Sequence, residues 1–455
     1  MDTSDTITHC HQCEGPLEYA FNPEYLKTVK FRGVNNFWRY RPVLPKVIKT
    51  VSLGEGGTPL QRSHRLAEEL GLKNLYLKDE TRNPTSSFKD RSASLILSDA
   101  VSRGYDSIVC ASNGNHGASV AAYSAREDLN CNLIVPRAID LGKLAQMMVY
   151  NAKIIEAGES IESAISRAQA LENELGWYQA TTELNPLSIE ALKTIAYELV
   201  EQQGSPDWVA VAMGSGTTMH AIWKGFKELK ESEKITDTPK LIGVQAEGCS
   251  PITDAFSKGI HQPISIAETR TEASAIRVAI PIYGKHAIQA LQESNGVAIS
   301  ISDEEMISTG KQIAKLEGIF PEPASAATVA CLKPLVEKKL VESSDTIVSL
   351  ITSSGLKTDD ILQTITKRKK TPRIGSRLTT KEKILRIISN EATYGYSIWR
   401  NLGTEMTIGA VYQHLNDLEE KGLIQANVKG KRKIMTISER GKKALKALDD
   451  LQVLL

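Results

Sequence analysis

The 455-residue chain contains no apolar run of the roughly 18 residues that a bilayer span needs. Its opening, MDTSDTITHC, has neither the basic start nor the apolar stretch of a secretory leader. Cysteine is scarce: six residues, with only Cys10 and Cys13 close together, give no disulfide framework and suit a reducing compartment. Internal repeats and long low-complexity tracts are lacking as well. Hydrophobic residues at 41% and charged residues at 24% exclude a disordered or fibrous chain. These absences predict a soluble, cytoplasmic, globular protein that makes no membrane contact.

The formal net charge of only +1 hides an uneven distribution. From Gly375 onward, fourteen Lys or Arg face nine Asp or Glu, an excess of five. Lys367, Arg368, Lys369, Lys370 and Arg373 add five more, so residues 1–366 carry −9. An acidic body and a basic tail, separated by TKRKKTPRIGS with its helix-stopping Pro372, read as domains with different partners. The expected organisation is an N-terminal segment over 1–50, a body over 51–366, a basic linker over 367–376 and a small domain over 377–455. Within the body, short apolar runs such as NLYLKD, SIVCAS, WVAVAMG and DTIVSLITS alternate with stretches of helical period such as SASLILSDAVSRG. That alternation predicts an α/β body of βαβ units with a parallel sheet covered by helices.

Four strand-ending loops carry polar chemistry. In Asn83-Pro84-Thr85-Ser86-Ser87-Phe88-Lys89-Asp90-Arg91 a lysine is placed at a helix start. There the positive end of the helix dipole and screening by Phe88 favour a neutral amine able to form a Schiff base. Ala111-Ser112-Asn113-Gly114-Asn115-His116-Gly117 offers backbone N–H groups to a carboxylate, although Asn115 also reads as a simple cap and His116 as a loop histidine. Gly214, Ser215, Gly216, Thr217 and Thr218 can cradle a phosphate, without the Gly-Lys-Ser/Thr ending of a Walker loop or the spaced glycines of a dinucleotide site. Finally, Thr352 begins TSSGLK, whose hydroxyls can bond a ring nitrogen.

In this order the loops resemble the fold-type-II enzymes dependent on pyridoxal phosphate, most closely the threonine synthases. NPTSSFKDRS stands for the family's NPTGSFKDRG, ASNGNHGAS for ASTGNTSAS, and TSSGLK for TGHGLK; GEGGTPL (Gly54 to Leu60), GKLAQ and GVQAEG are also similar. The resemblance covers about residues 1–366. It implies the two-subdomain, tryptophan synthase beta-like fold, commonly dimeric, with Lys89 carrying the cofactor and serving as acid and base. Phe88, Asn115, Gly214 to Thr218 and Thr352 would complete the cofactor site, with Asn115 at the ring hydroxyl, the glycine loop at the phosphate and Thr352 at the ring nitrogen. Ser112, Asn113 and His116 would hold the carboxylate of an amino-acid substrate. The implied reaction is conversion of O-phospho-L-homoserine and water to L-threonine and phosphate.

The chain also departs from the family. The arginine of NPxRxEGQKT, expected to meet the substrate phosphate, is Ser188, and IRIGNP becomes Ile276-Arg277-Val278-Ala279-Ile280-Pro281. Lys193 and Arg277 are the expected replacements, with Lys357 and His116 also available. A cysteate synthase or a threonine or serine ammonia-lyase would use the same loops. CHQC resembles half of the zinc ribbon that begins some relatives; two cysteines fall short of the four ligands of structural zinc, so a vestigial turn is expected and no metal.

Residues 378–455 follow the helix, helix, helix, hairpin, helix order of a winged helix and resemble PadR-like transcription regulators in YGYSI and TIGAVYQHLNDLEEKGLI. Tyr412, Gln413 and His414 lie on the helix expected to face DNA, and Lys431 and Arg432 at the wing tip. The same module also serves for dimerisation or regulation, and a transcriptional regulator with an enzyme-like sensing body is the competing class.

Overall fold

The apolar runs form strands because both of their faces are buried. The computed structural model describes residues 17–137, 139–358, 380–402, 407–429 and 432–453. The paired cysteines Cys10 and Cys13, the linker 367–376 and Lys431 lie outside the described residues, as does the side chain of Arg432. The chain divides into two compact units, residues 1–365 and 366–455.

The first unit holds two sheets. In one, β1 (Leu60–Ser63), β2 (Asn74–Asp79), β10 (Thr346–Ile351), β7 (Trp208–Ala212), β8 (Lys240–Ala246) and β9 (Val297–Ile301) lie in that spatial order. All pairs are parallel except β1 with β2, so the expected parallel sheet carries an antiparallel edge. In the other, β5 (Lys153–Glu156), β4 (Asn130–Val135), β3 (Ser107–Ala111) and β6 (Tyr178–Gln179) are all parallel. Along β7, Trp208, Ala210 and Ala212 enter one core while Val209 and Val211 enter another, the period-two signature of a strand buried on both sides. β3 likewise splits Ile108 and Cys110 from Val109 and Ala111.

Residues 17–51 form no unit of their own. Leu26, Val29, Tyr40 and Val43 pack into the core beneath the helix Thr217–Glu231, while Phe37, Leu44, Val47 and Val51 enter the core of the second sheet. The segment thereby straps both cores, each buried aliphatic contributing about 1.5–3 kcal/mol.

The second unit has a separate core of Ile384, Leu385, Ile388, Ile398, Val411, Leu415, Leu418, Ile424, Met435 and Leu445. Thr407 caps the helix Ile408–Glu420 by accepting from the Ala410 N–H at 3.3 Å. The hairpin β12 (Ile424–Lys429) and β13 (Arg432–Ile437) takes up the short β11 (Thr393–Tyr394) as a third strand.

Candidate active site

Topology brings the loops together. β2, β10 and β7 are neighbours in one parallel sheet, so the segments after their carboxyl ends, Phe88–Lys89, Thr352 and Gly214–Thr218, emerge side by side. Pairing of Ser87 with Ser353, and the Phe88 N–H bond to the Thr352 carbonyl at 2.9 Å, stitch two of them directly. The loop after β3, Ser112–His116, comes from the other sheet, which puts the site in the crevice between the subdomains. A cleft is lined by Phe88, Lys89, Ser112, Asn113, Asn115, His116, Gly214, Ser215, Gly216, Thr218 and Thr352 among others.

Lys89 is the first residue of the helix Lys89–Ser102, and burial lowers its pKa below the ordinary lysine value. Its Nζ is 5.1 Å from the Phe88 ring centroid. The turn before it is held in place: Ser86, where the family has glycine, sits at φ +61° and its carbonyl accepts from the Ser354 N–H and the Ser353 hydroxyl, both at 3.1 Å. Behind the helix, Arg91 is buried between Glu80 and Glu198, which anchors this loop to the body. Asp90 accepts from the Thr85 N–H and hydroxyl at 2.7 and 2.6 Å, while burial pushes its carboxyl up to about 6.

The glycine loop opens the fifteen-residue helix Thr217–Glu231. Gly216 has φ +89°, and a Cβ there would lie 2.5 Å from the Tyr283 carbonyl oxygen; a Cβ on Gly214 would stand 3.2 Å from that of Ala275. The backbone is therefore pared down where its N–H groups face the cleft. Thr217 is buried beside Ser215, hydroxyl to hydroxyl 3.0 Å, and stands behind the lining. The Thr352 hydroxyl is 2.7 Å from that of Ser325. An amine, a helix-start anion cradle and a neutral hydroxyl in one cleft fit an aldehyde cofactor with a phosphate and a pyridine nitrogen.

The carboxylate loop is built differently from expectation. Ser112 Oγ accepts from the Gly114 and Gly117 N–H groups at 3.1 and 2.9 Å, which leaves its own proton to donate. Asn113 donates to the Ser274 carbonyl at 3.2 Å, and Asn115 donates to both oxygens of Glu322 at 3.1 and 3.0 Å. His116 Nε2 lies 2.7 Å from the Ala180 carbonyl, which requires the proton on that nitrogen, and Nδ1 is buried without a partner. Burial, with Lys89 nearby, holds its pKa down to about 3. The His116 side chain thus presents an acceptor and cannot grip a carboxylate; its main-chain N–H, on the first helical turn, can.

Lys193 does not reach the cleft. It is fully buried between Glu190 at 2.7 Å and Glu228 at 2.9 Å, with its Nζ 4.1 Å from the Phe21 ring centroid. Ser188, where the arginine was expected, is likewise buried away from the lining. Arg277 falls between the lining residues Ile276 and Val278 without being one of them, and Lys357 donates to the Thr85 carbonyl at 2.9 Å. The cation that does line the cleft is Lys143, 2.6 Å from Asp140 and 3.0 Å from the Ser274 hydroxyl. A Cβ on Gly114 would lie 2.5 Å from its Cδ, so the glycine gives the lysine its path. Lys143, Glu183 and Glu322 were not singled out from the sequence; only the GKLAQ match around Lys143 offered a signal.

In the second unit Tyr412 is exposed at 42%, although its ring also covers Gly395, where a Cβ would come within 2.7 Å. Gln413 is exposed and His414 half-buried. No helix among the described residues is long and apolar enough to cross a membrane.

Residues 51–353 match the pyridoxal-phosphate dependent enzyme family, and residues 384–447 the transcriptional regulator PadR-like family. The threonine synthase of Methanocaldococcus jannaschii is 40% identical over 367 residues, 78% of this chain and 90% of that protein. That of Methanosarcina acetivorans is 35% identical over 363 residues, 78% of this chain and 88% of its own length. Threonine deaminase isoform 2 from Solanum lycopersicum shares the fold at 20% identity, with a TM-score of 0.59 over 69% of this chain and 83% of that one. With the family model covering most of the chain and threonine synthases aligned almost end to end, the protein belongs to the pyridoxal-phosphate dependent enzymes, in their threonine synthase branch, and carries a PadR-like winged-helix domain.

Proposed function

We propose that the chain converts O-phospho-L-homoserine and water to L-threonine and phosphate. The observation that carries this reading is the half-buried Lys89 at a helix start, its amine pKa lowered by desolvation, sharing one cleft with the glycine loop that opens a second helix. Pyridoxal phosphate, when bound, supplies the electron sink for charge developing on the substrate carbons. Lys89 holds it and moves protons at the substrate carbons. Gly214 to Thr218 would hold its phosphate and Phe88 would screen the lysine from water, while Thr352 would serve the ring nitrogen and Asn115, turned from Glu322, the ring hydroxyl. A hydroxyl in place of a carboxylate at that nitrogen would leave the ring unprotonated and would favour elimination and replacement over transamination.

The Ser112 hydroxyl and the first-turn N–H groups of Asn115 and His116 hold the substrate carboxylate, with Asn113 fixing the loop against Ser274. Lys143 takes the part first expected of Lys193 or Arg277 and meets the substrate phosphate. Incubating the purified chain with O-phospho-L-homoserine should release phosphate and threonine in equal amounts. Lys89→Ala should abolish both, together with the visible absorption of the lysine-linked cofactor. Absorption without turnover in the unaltered chain would reject the substrate and direct the search to serine and threonine.

For the winged helix, the exposed positions Tyr412 and Gln413, with His414 beside them, support a DNA-reading role for the helix Ile408–Glu420. Retention of the full chain on duplex DNA should weaken steeply as salt rises. No retention at low salt would leave dimerisation or regulation as its role.

A further inference from the structure

Both substrate-holding elements of the smaller subdomain lean on one residue from the opposite wall of the crevice. Ser274 opens the three-residue turn Ser274–Ile276, and its neighbours Ala273 and Ile276 share a core with Ala210 of β7 and Val244 of β8. The Thr271 hydroxyl donates to Asp303 and accepts from the Ala273 N–H at 3.0 Å, which ties the turn to the helix Asp303–Glu317. From this anchored position the Ser274 carbonyl accepts from Asn113 of the carboxylate loop at 3.2 Å. Its hydroxyl donates to Asp140 at 2.7 Å and accepts from Lys143 at 3.0 Å. Asp140 also pairs with Lys143 directly, at 2.6 Å.

An ammonium carries three donors. Asp140 and Ser274 take two of them, and Glu322, at 3.8 Å, is too distant for a hydrogen bond. The third donor is left for a ligand in the cleft, which Lys143 lines. Its direction is the problem, because a lysine is a point charge on a flexible four-carbon stem. Asp140 immediately precedes the helix Leu141–Val149 that carries Lys143, so it belongs to the same wall as the lysine. Ser274 is the hydrogen-bonding partner fixed to the other wall. Resting on the reading in which Lys143 meets the substrate phosphate, we propose that Ser274 is the positioning residue that aims the Lys143 ammonium at that phosphate. Its carbonyl holds the loop for the carboxylate end and its hydroxyl holds the cation for the phosphate end, so one residue sets the relation between the two. With Ser188 where the family has arginine, this preorganisation of a single lysine bears on affinity directly.

The test compares two unreactive amino acids on the holoenzyme, with dissociation constants read from the change in the cofactor's visible absorption. L-2-amino-5-phosphonopentanoate carries the phosphonate on a carbon that cannot leave, and L-norvaline has the same carbon chain without it. Ser274→Ala should weaken the phosphonate about threefold to tenfold, since one of two bonds holding the ammonium is lost while its charge stays. L-Norvaline should change by less than about twofold, because alanine keeps the main-chain carbonyl that Asn113 uses. Ser274→Thr should restore the phosphonate affinity by returning the hydroxyl. In a Lys143→Met background Ser274→Ala should cost nothing further, as a residue acting through the lysine requires. Unaltered phosphonate affinity in Ser274→Ala, equal weakening of both ligands, or the same loss in the Lys143→Met background overturns the assignment. So does an unaltered enzyme that binds the phosphonate no better than L-norvaline. If the unaltered enzyme prefers the phosphonate but releases no phosphate from O-phospho-L-homoserine, the threonine synthase reading fails on its own, and the same affinities still decide the role of Ser274.

Discussion

Replacing Arg91 with methionine removes the cation from two carboxylates that have no access to water. The guanidinium donates to Glu80 at 2.9 and 2.7 Å and to Glu198 at 2.6 Å. All three side chains are at most 1% exposed. In the variant Glu198 keeps Lys78 at 2.8 Å, but Glu80 keeps only the neutral donors Thr58 and Asn83. One uncompensated buried carboxylate costs about 3–5 kcal/mol, a large share of a stability of about 5–15 kcal/mol. The pH dependence has a definite sign. In the native protein burial pushes Glu80 upward, yet the charge and hydrogen bonds of Arg91 outweigh it and hold the carboxyl below its usual value. Its contribution is present above the unfolded carboxylate range and is lost as pH falls through the folded value. In Arg91→Met burial wins, the pKa rises, and the penalty should be full at about pH 8 and shrink on acidification towards pH 5 or so. Urea unfolding midpoints at the two pH values measure it, and Arg91→Met/Glu80→Gln should recover part of the loss. A penalty under about 1 kcal/mol at the higher pH, or one that does not shrink, would refute the reasoning.

The remaining lysines separate by assay. Lys143→Met should raise the KM for a phosphorylated substrate at least tenfold or so, the value of one charge-assisted bond, while cofactor absorption persists. Lys193→Met should instead lower the melting temperature with little change in KM, because its partners Glu190 and Glu228 are part of the packed interior. Asp90, raised to about 6 by burial, binds a proton in the folded state that the unfolded chain has already lost; its contribution is complete below about pH 4 and disappears as pH rises through 6. Asp90→Asn should flatten that slope in denaturant titrations. Gly216→Ala combines a left-handed φ, costing about 1–2 kcal/mol, with a Cβ 2.5 Å from the Tyr283 carbonyl oxygen. Equilibrium dialysis should show cofactor affinity reduced about tenfold or more, and unaltered affinity would argue against this loop as the phosphate cradle.

Parts of the site were legible because they are local. NPTSSFKDR, ASNGNHG and MGSGTT each follow a strand and open a helix, and that order shows in the sequence as an apolar run, a turn and a helical period. β1 was not legible: LQRS is mostly polar and is a strand only because it pairs with β2. β6, two residues long, exists through its register with β3. Lys193 was misassigned because it lies five residues beyond Ser188 in a segment expected to meet phosphate. The helix Leu187–Leu192 instead carries it to Glu228, thirty-five residues away.

The alternation of strand and helix, the lysine at a helix start, and the glycines where a backbone has to approach an anion are all written in the order of the residues. Those features depend on side-chain period, on the helix dipole and on the steric freedom of single residues, all short-range. Which charges face the cleft depends on long-range packing instead. Lys143, Glu183 and Glu322 meet there because strands from two sheets deliver their loops to one crevice. Lys193 and Arg91, equally cationic in the sequence, are neutralised in the interior by carboxylates 35 and 107 residues distant. Whether a charge is spent on stability or left for chemistry depends on its long-range partner, and that partner is set by packing.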